Sequence, residues 1–93
     1  MRLEEREKDI IKQTVSEIFG ESRILIFGSR LNLHKRGGDI DIFVIPKSTD
    51  DLFAKKIAAS AKLERLLAKP VDIVVHYDYT RPIEQEALKG VEL

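Results

Sequence analysis

The chain alternates between two hydrophobic rhythms. Residues 3 to 19 carry Leu3, Ile10, Ile11, Val15, Ile18 and Phe19 near one stripe, with Glu, Lys and Arg between them, which predicts an amphipathic helix. Gly20 supplies its stop. Arg23 to Phe27 is a continuous apolar run, the pattern of a strand buried on both faces, and it breaks at Gly28-Ser29. Asp39 to Ile45 predicts a second strand, ended by Pro46. Residues 51 to 68 predict a long helix whose apolar face is Leu52, Phe53, Ile57, Ala61, Leu63, Leu66 and Leu67, with N-caps on offer from Ser48, Thr49, Asp50 and Asp51 and an end at Lys69-Pro70. Val71 to Val75 predicts a third strand. Thr80 caps a last helix in which Pro82 fits the first turn; this helix runs to Gly90 and leaves Val91-Glu92-Leu93 as a tail.

A strand, a long helix and another strand form a βαβ unit, so the second and third strands are expected to be parallel. The link between the first and second strands is short, which makes that pair antiparallel. The expected fold is therefore α/β (α+β): a small mixed three-stranded sheet flanked by helices, in the order α-β-(short α)-β-α-β-α. The short helix is the one that would begin at Gly28-Ser29. Residues 1–93 are read as a single domain with one small core.

Composition narrows the function without naming it. Sixteen acidic and sixteen basic residues cancel, so no nucleic-acid coat or membrane-surface partner is expected. There is no cysteine, hence no disulfide framework and no thiolate metal site. The apolar runs fall short of the ~20 residues that cross a bilayer, and the charged N-terminus lacks a signal-peptide core. A cytoplasmic protein is expected.

The candidate chemistry lies in the second strand. Side chains alternate along a strand, so Asp39 and Asp41 share one side while Ile40, Ile42 and Val44 share the other. Two carboxylates side by side repel, and such a strand either holds a cation or presents that face to water. Phe43 and Ile45 lie on the aspartate side, which predicts a half-covered site. Gly28-Ser29 can end a strand or open a short helix whose free N–H groups bind an anion. Between Ser29 and Asp39, Arg30, Lys35 and Arg36 are either phosphate contacts or solvated charge, with Arg30 the preferred contact. Asp72 is the acidic residue of the third strand. Alone it reads as a charge facing water; beside Asp39 and Asp41 it completes a triad. Three facing carboxylates, without thiolates or a spaced histidine pair, suit Mg²⁺ or Mn²⁺, one or two ions, better than Zn²⁺. His34 and His76 have no ligand spacing and are assigned to the surface, Asp78 to the start of a loop, and Tyr77 and Tyr79 to packing.

The segments Leu25-Ile-Phe-Gly-Ser-Arg30, Gly37-Gly-Asp-Ile-Asp-Ile42, Val71-Asp-Ile-Val-Val75 and the ending from Ile83 resemble, in order and spacing, the DNA polymerase β-like nucleotidyltransferase superfamily, and within it the minimal nucleotidyltransferase proteins, many of them antitoxins of HEPN-domain toxins. The family often has an Arg-Gly pair soon after its Gly-Ser-Arg; here Leu31-Asn32-Leu33 stands instead. The resemblance implies that Asp39, Asp41 and Asp72 are catalytic and hold the metal, and that Gly28, Ser29 and Arg30 bind the phosphates of ATP. It implies transfer of AMP to a hydroxyl of a HEPN-toxin partner, in a homo- or hetero-oligomer. Two other readings stand beside this one: a non-catalytic module of the same fold that neutralises a partner by contact, and a small-molecule transferase, disfavoured because such enzymes usually use a second domain to hold the acceptor.

Overall fold

The computed structural model describes residues 3–28 and 40–93. The element order is α1 (Glu5–Phe19), β1 (Ser22–Phe27), β2 (Ile40–Pro46), α2 (Leu52–Leu67), β3 (Val71–Val75), α3 (Pro82–Ala87) and β4 (Val91–Glu92). The strands form one mixed sheet in the order β3-β2-β1-β4. β1 and β2 are antiparallel and β2 and β3 parallel, as the link lengths require.

The sheet is four-stranded, not three-stranded. Val91 and Glu92 pair antiparallel with Ile26 and Leu25, and Leu93 N–H donates to the Ile24 carbonyl. Two strand residues carry too little pattern to announce themselves. They pair at the edge of β1, and Gly90 permits it, since a β-carbon there would collide with the Ile26 carbonyl oxygen. The Arg23 guanidinium then grips both oxygens of Glu92 at 2.9 Å.

The two faces of the sheet have separate cores. Ile24, Ile26, Ile40, Ile42, Val44, Val71 and Ile73 pack against Ile11, Val15 and Phe19 of α1 and Ala59, Leu63 and Leu67 of α2. On the other face Leu25, Phe27 and Phe43 meet Ala87 of α3, with Ile45 and Val74 partly buried beside them. The first core is the larger, and α3 covers only part of the second face.

Several local expectations are corrected. Of the expected apolar face of α2, Leu63 and Leu67 are buried in the core and Leu52 packs against it, joined by Ala59; Phe53, Ile57, Ala61 and Leu66 are exposed. Asp51 occupies the N-cap of α2 without a side-chain bond. The N-cap of α3 is Arg81, not Thr80; both the amide and the hydroxyl of Thr80 donate to Asp78 Oδ1. The last helix stops at Ala87, well before Gly90. Among the described residues no helix is long and apolar enough to cross a membrane.

Candidate active site

The face that α3 leaves partly open carries the acidic residues. Asp41 and Asp72 are register partners on the parallel strands β2 and β3, so their side chains leave the same face of the sheet from backbones ~4.8 Å apart. The strand pattern makes this arrangement obligatory. Ile40, Ile42, Val71 and Ile73 all turn into the α1/α2 core, and alternation sends the aspartates the other way. Asp41 is half-buried and Asp72 exposed.

β1 brings the third component. Phe27 is the register partner of Asp41, and Gly28 follows it with φ of 69°. A β-carbon at Gly28 would lie 2.7 Å from Asp41 Oδ2 and 3.3 Å from its Cγ. The left-handed backbone is what favours glycine here, and any larger residue would also have to displace the Asp41 carboxylate packed against it. The loop that leaves β1 thereby starts on the Asp41 carboxylate.

Three bonds outside the strand ladders set the register just before the two aspartates. Ile40 N–H donates to the Pro70 carbonyl at 3.0 Å. Val71 N–H donates to Glu64 Oε2 of α2, also at 3.0 Å. Lys69 reaches the nearly buried Glu7 of α1 at 2.6 Å. Residues 69–71 are thus tied to both helices of the large core immediately ahead of Asp72.

At the other end of β3 lies a network that sequence reasoning missed. Glu84, fully buried, accepts from the amides of Tyr77 and Asp78 at 2.7 and 2.8 Å. It also bonds His76 Nδ1 at 2.6 Å and Arg81 at 3.1 Å. His76 stacks on Tyr79 with ring centroids 3.8 Å apart and meets Phe43 edge-on. His76 is therefore a half-buried anchor and not a surface residue. Tyr77 is 81% exposed, with Arg81 over its ring, so it does not pack as expected, whereas Tyr79 does. Burial works to raise the Glu84 pKa, but the bonds from His76, Asp78 and Tyr77 outweigh it and hold the carboxyl below the ordinary glutamate range. A glutamate three positions from an alanine on a short helix gave no signal of its own; an acidic residue at a position facing the sheet is the clue that was available.

Of the six predicted site residues, Gly28, Asp41 and Asp72 are brought together. Ser29, Arg30 and Asp39, and the proposed short helix, lie outside the described residues. Among the described residues there is no group of three His, Cys, Asp or Glu side chains able to hold a metal. Asp41 and Asp72 supply a facing pair of hard oxygen donors, a set that fits Mg²⁺ or Mn²⁺.

A mixed sheet with a glycine at the end of β1 and facing carboxylates on β2 and β3 is the frame of a nucleotidyl-transfer fold, and the sequence profile of the nucleotidyltransferase domain matches residues 8–91. The chain belongs to the nucleotidyltransferase domain family. Among solved structures it is similar to a chain of the toxin–antitoxin complex MntA-HpeT, crystallised as a mutant in which two aspartates one residue apart are changed to glutamate. The identity is 30% and the TM-score 0.59, over 74% of this chain and 55% of that one. This chain thus spans about half the length of that relative. No curated protein sequence matches significantly.

Proposed function

We propose that this protein is a metal-dependent nucleotidyltransferase that moves AMP from ATP to a hydroxyl of a partner protein, acting as the antitoxin of a HEPN-type toxin. The observation that carries the reading is the register pairing of Asp41 with Asp72, with Gly28 packed on the Asp41 carboxylate. Family membership supports nucleotidyl transfer, and the likeness to a chain of a toxin–antitoxin complex supports the antitoxin role.

In this reading Asp39, Asp41 and Asp72 hold Mg²⁺ or Mn²⁺. Bound there, the metal supplies charge neutralisation for the triphosphate and for the oxygens entering and leaving phosphorus. Gly28, Ser29 and Arg30 bind the outer phosphates. The acceptor oxygen forms a bond to the α-phosphorus while the bond to pyrophosphate breaks, and Asp72, the more exposed carboxylate, receives the acceptor's proton. Asp72 is exposed on the α3 side of the sheet, where an acceptor brought by another protein can reach it.

Incubation of the chain with α-labelled ATP, Mg²⁺ and the product of the adjacent gene tests this. Label is expected on that protein, lost on chelation and reduced by ~10²-fold or more in Asp41→Ala and Asp72→Asn. An unlabelled partner, or label indifferent to both substitutions, rejects the transferase. Full toxin suppression by Asp41→Asn would show instead that contact alone neutralises the partner.

A further inference from the structure

The outward face of α2 is apolar without serving the core of the chain. Phe53 is 76% and Ile57 54% exposed, and Ala54, Ala58 and Ala61 are exposed with them. These positions recur at the three- and four-residue spacings that place side chains on one side of a helix. The core does not use Phe53 and Ile57, and large apolar side chains grouped on one solvent face of a helix are a feature of interaction sites.

The pattern along the stripe specifies its occupant. Phe53 stands one turn before Ile57 and Ala61 one turn after it, so Ile57 is midway between a large and a small residue. An identical helix laid antiparallel, with a twofold axis at Ile57, sets each Phe53 over the other copy's Ala61. The charges fit the same arrangement. Asp50 and Asp51 precede the first turn of α2 and Arg65 stands in its last. All three are exposed, and none forms an ion pair with a described residue. Antiparallel packing brings Arg65 of each copy to the Asp50-Asp51 end of the other, twice by symmetry. A parallel copy would set like charges together. Glu64, on the same side of the helix, is drawn toward the Val71 amide.

We propose that this protein self-associates through α2, as a twofold antiparallel helix pair centred on Ile57. The contact lies on the α1/α2 side of the sheet, opposite Asp41 and Asp72, so it does not cover the acidic face of either copy. A single helix pair is at the small end of stable interfaces, and the dimer is expected to dissociate in the micromolar range.

Sedimentation equilibrium of the full chain over a concentration series should show a monomer–dimer equilibrium. Ile57→Glu should weaken it by at least ~10-fold, with circular dichroism unchanged. Arg65→Glu should weaken it too, and Asp50→Lys added to Arg65→Glu should restore it. Because the chain has no cysteine, Ile57→Cys offers an independent reading. Packed helices ~8–10 Å apart bring facing backbones within disulfide reach, so oxidation should give a covalent dimer, while Lys89→Cys, on the far side, should not. A monomer at every concentration, a dimer indifferent to Ile57→Glu, or association seen only with the product of the adjacent gene would each overturn the proposal.

Discussion

Glu84 shows how much one buried side chain can organise. Four donors converge on it from His76, Tyr77, Asp78 and Arg81, and together they fold the connection from β3 to α3 back onto the sheet. Replacing it with alanine strands two backbone amides and a histidine, at a cost of about 3–5 kcal/mol; urea unfolding would register this as a lowered midpoint. The pH dependence follows from its depressed pKa. Below its unfolded value of about 4.3 the unfolded chain takes up a proton that the folded chain resists. The stabilisation is therefore complete above that pH and disappears as pH falls through the lower folded pKa. Glu84→Gln should be less stable at neutral pH and show a shallower acid limb in the same titration. Gly28 acts at the same scale but for the opposite purpose: it permits a close approach where Glu84 enforces one.

At the level of elements, the turn from α2 to β3 bears most directly on the site. Ala68 closes α2 in the left-handed region with φ of 55°, Pro70 has no amide to pair, and Glu64 takes the Val71 amide. The first residue of an edge strand otherwise offers that amide to water. Glu64 thus fixes where β3 begins, and one residue later comes Asp72. Glu64→Ala is expected to cost about 1 kcal/mol in stability but several-fold in nucleotidyl transfer, while Glu64→Gln, which keeps an acceptor oxygen, should retain transfer. Equal transfer in both variants, measured with labelled ATP, would separate the turn from the chemistry. The helix α2 itself divides its labour, with Ala59, Leu63 and Leu67 inward and Phe53 and Ile57 outward.

The molecule as a whole separates stability from chemistry across its sheet. The α1/α2 side holds the large core, and the α3 side holds a small core with two carboxylates at its margin. The two sides should answer substitution with opposite signs. Ile42, fully buried, should lose about 2–5 kcal/mol on change to alanine, a large share of the ~5–15 kcal/mol that such domains possess. Asp72→Asn should gain about 0.2–1 kcal/mol in metal-free buffer, because it removes a like charge directly across from Asp41. Thermal melts would show both, and added Mg²⁺ should stabilise the wild type more than Asp72→Asn. The gain on losing a proposed catalytic residue is the mark of a site kept at the expense of stability.

Local pattern alone determined the long elements and their parallel and antiparallel pairings, because strand alternation and link length leave few other solutions. It placed Asp41 and Asp72 together through the βαβ unit. What it could not decide depended on partners distant in the chain. Two residues at the C-terminus became a strand only because β1 had an open edge. His76 turned inward to meet Glu84 on the buried side of α3. Which apolar residues of α2 are buried was likewise decided in three dimensions: Ala59, Leu63 and Leu67 meet α1 and the sheet, and Phe53 and Ile57 do not.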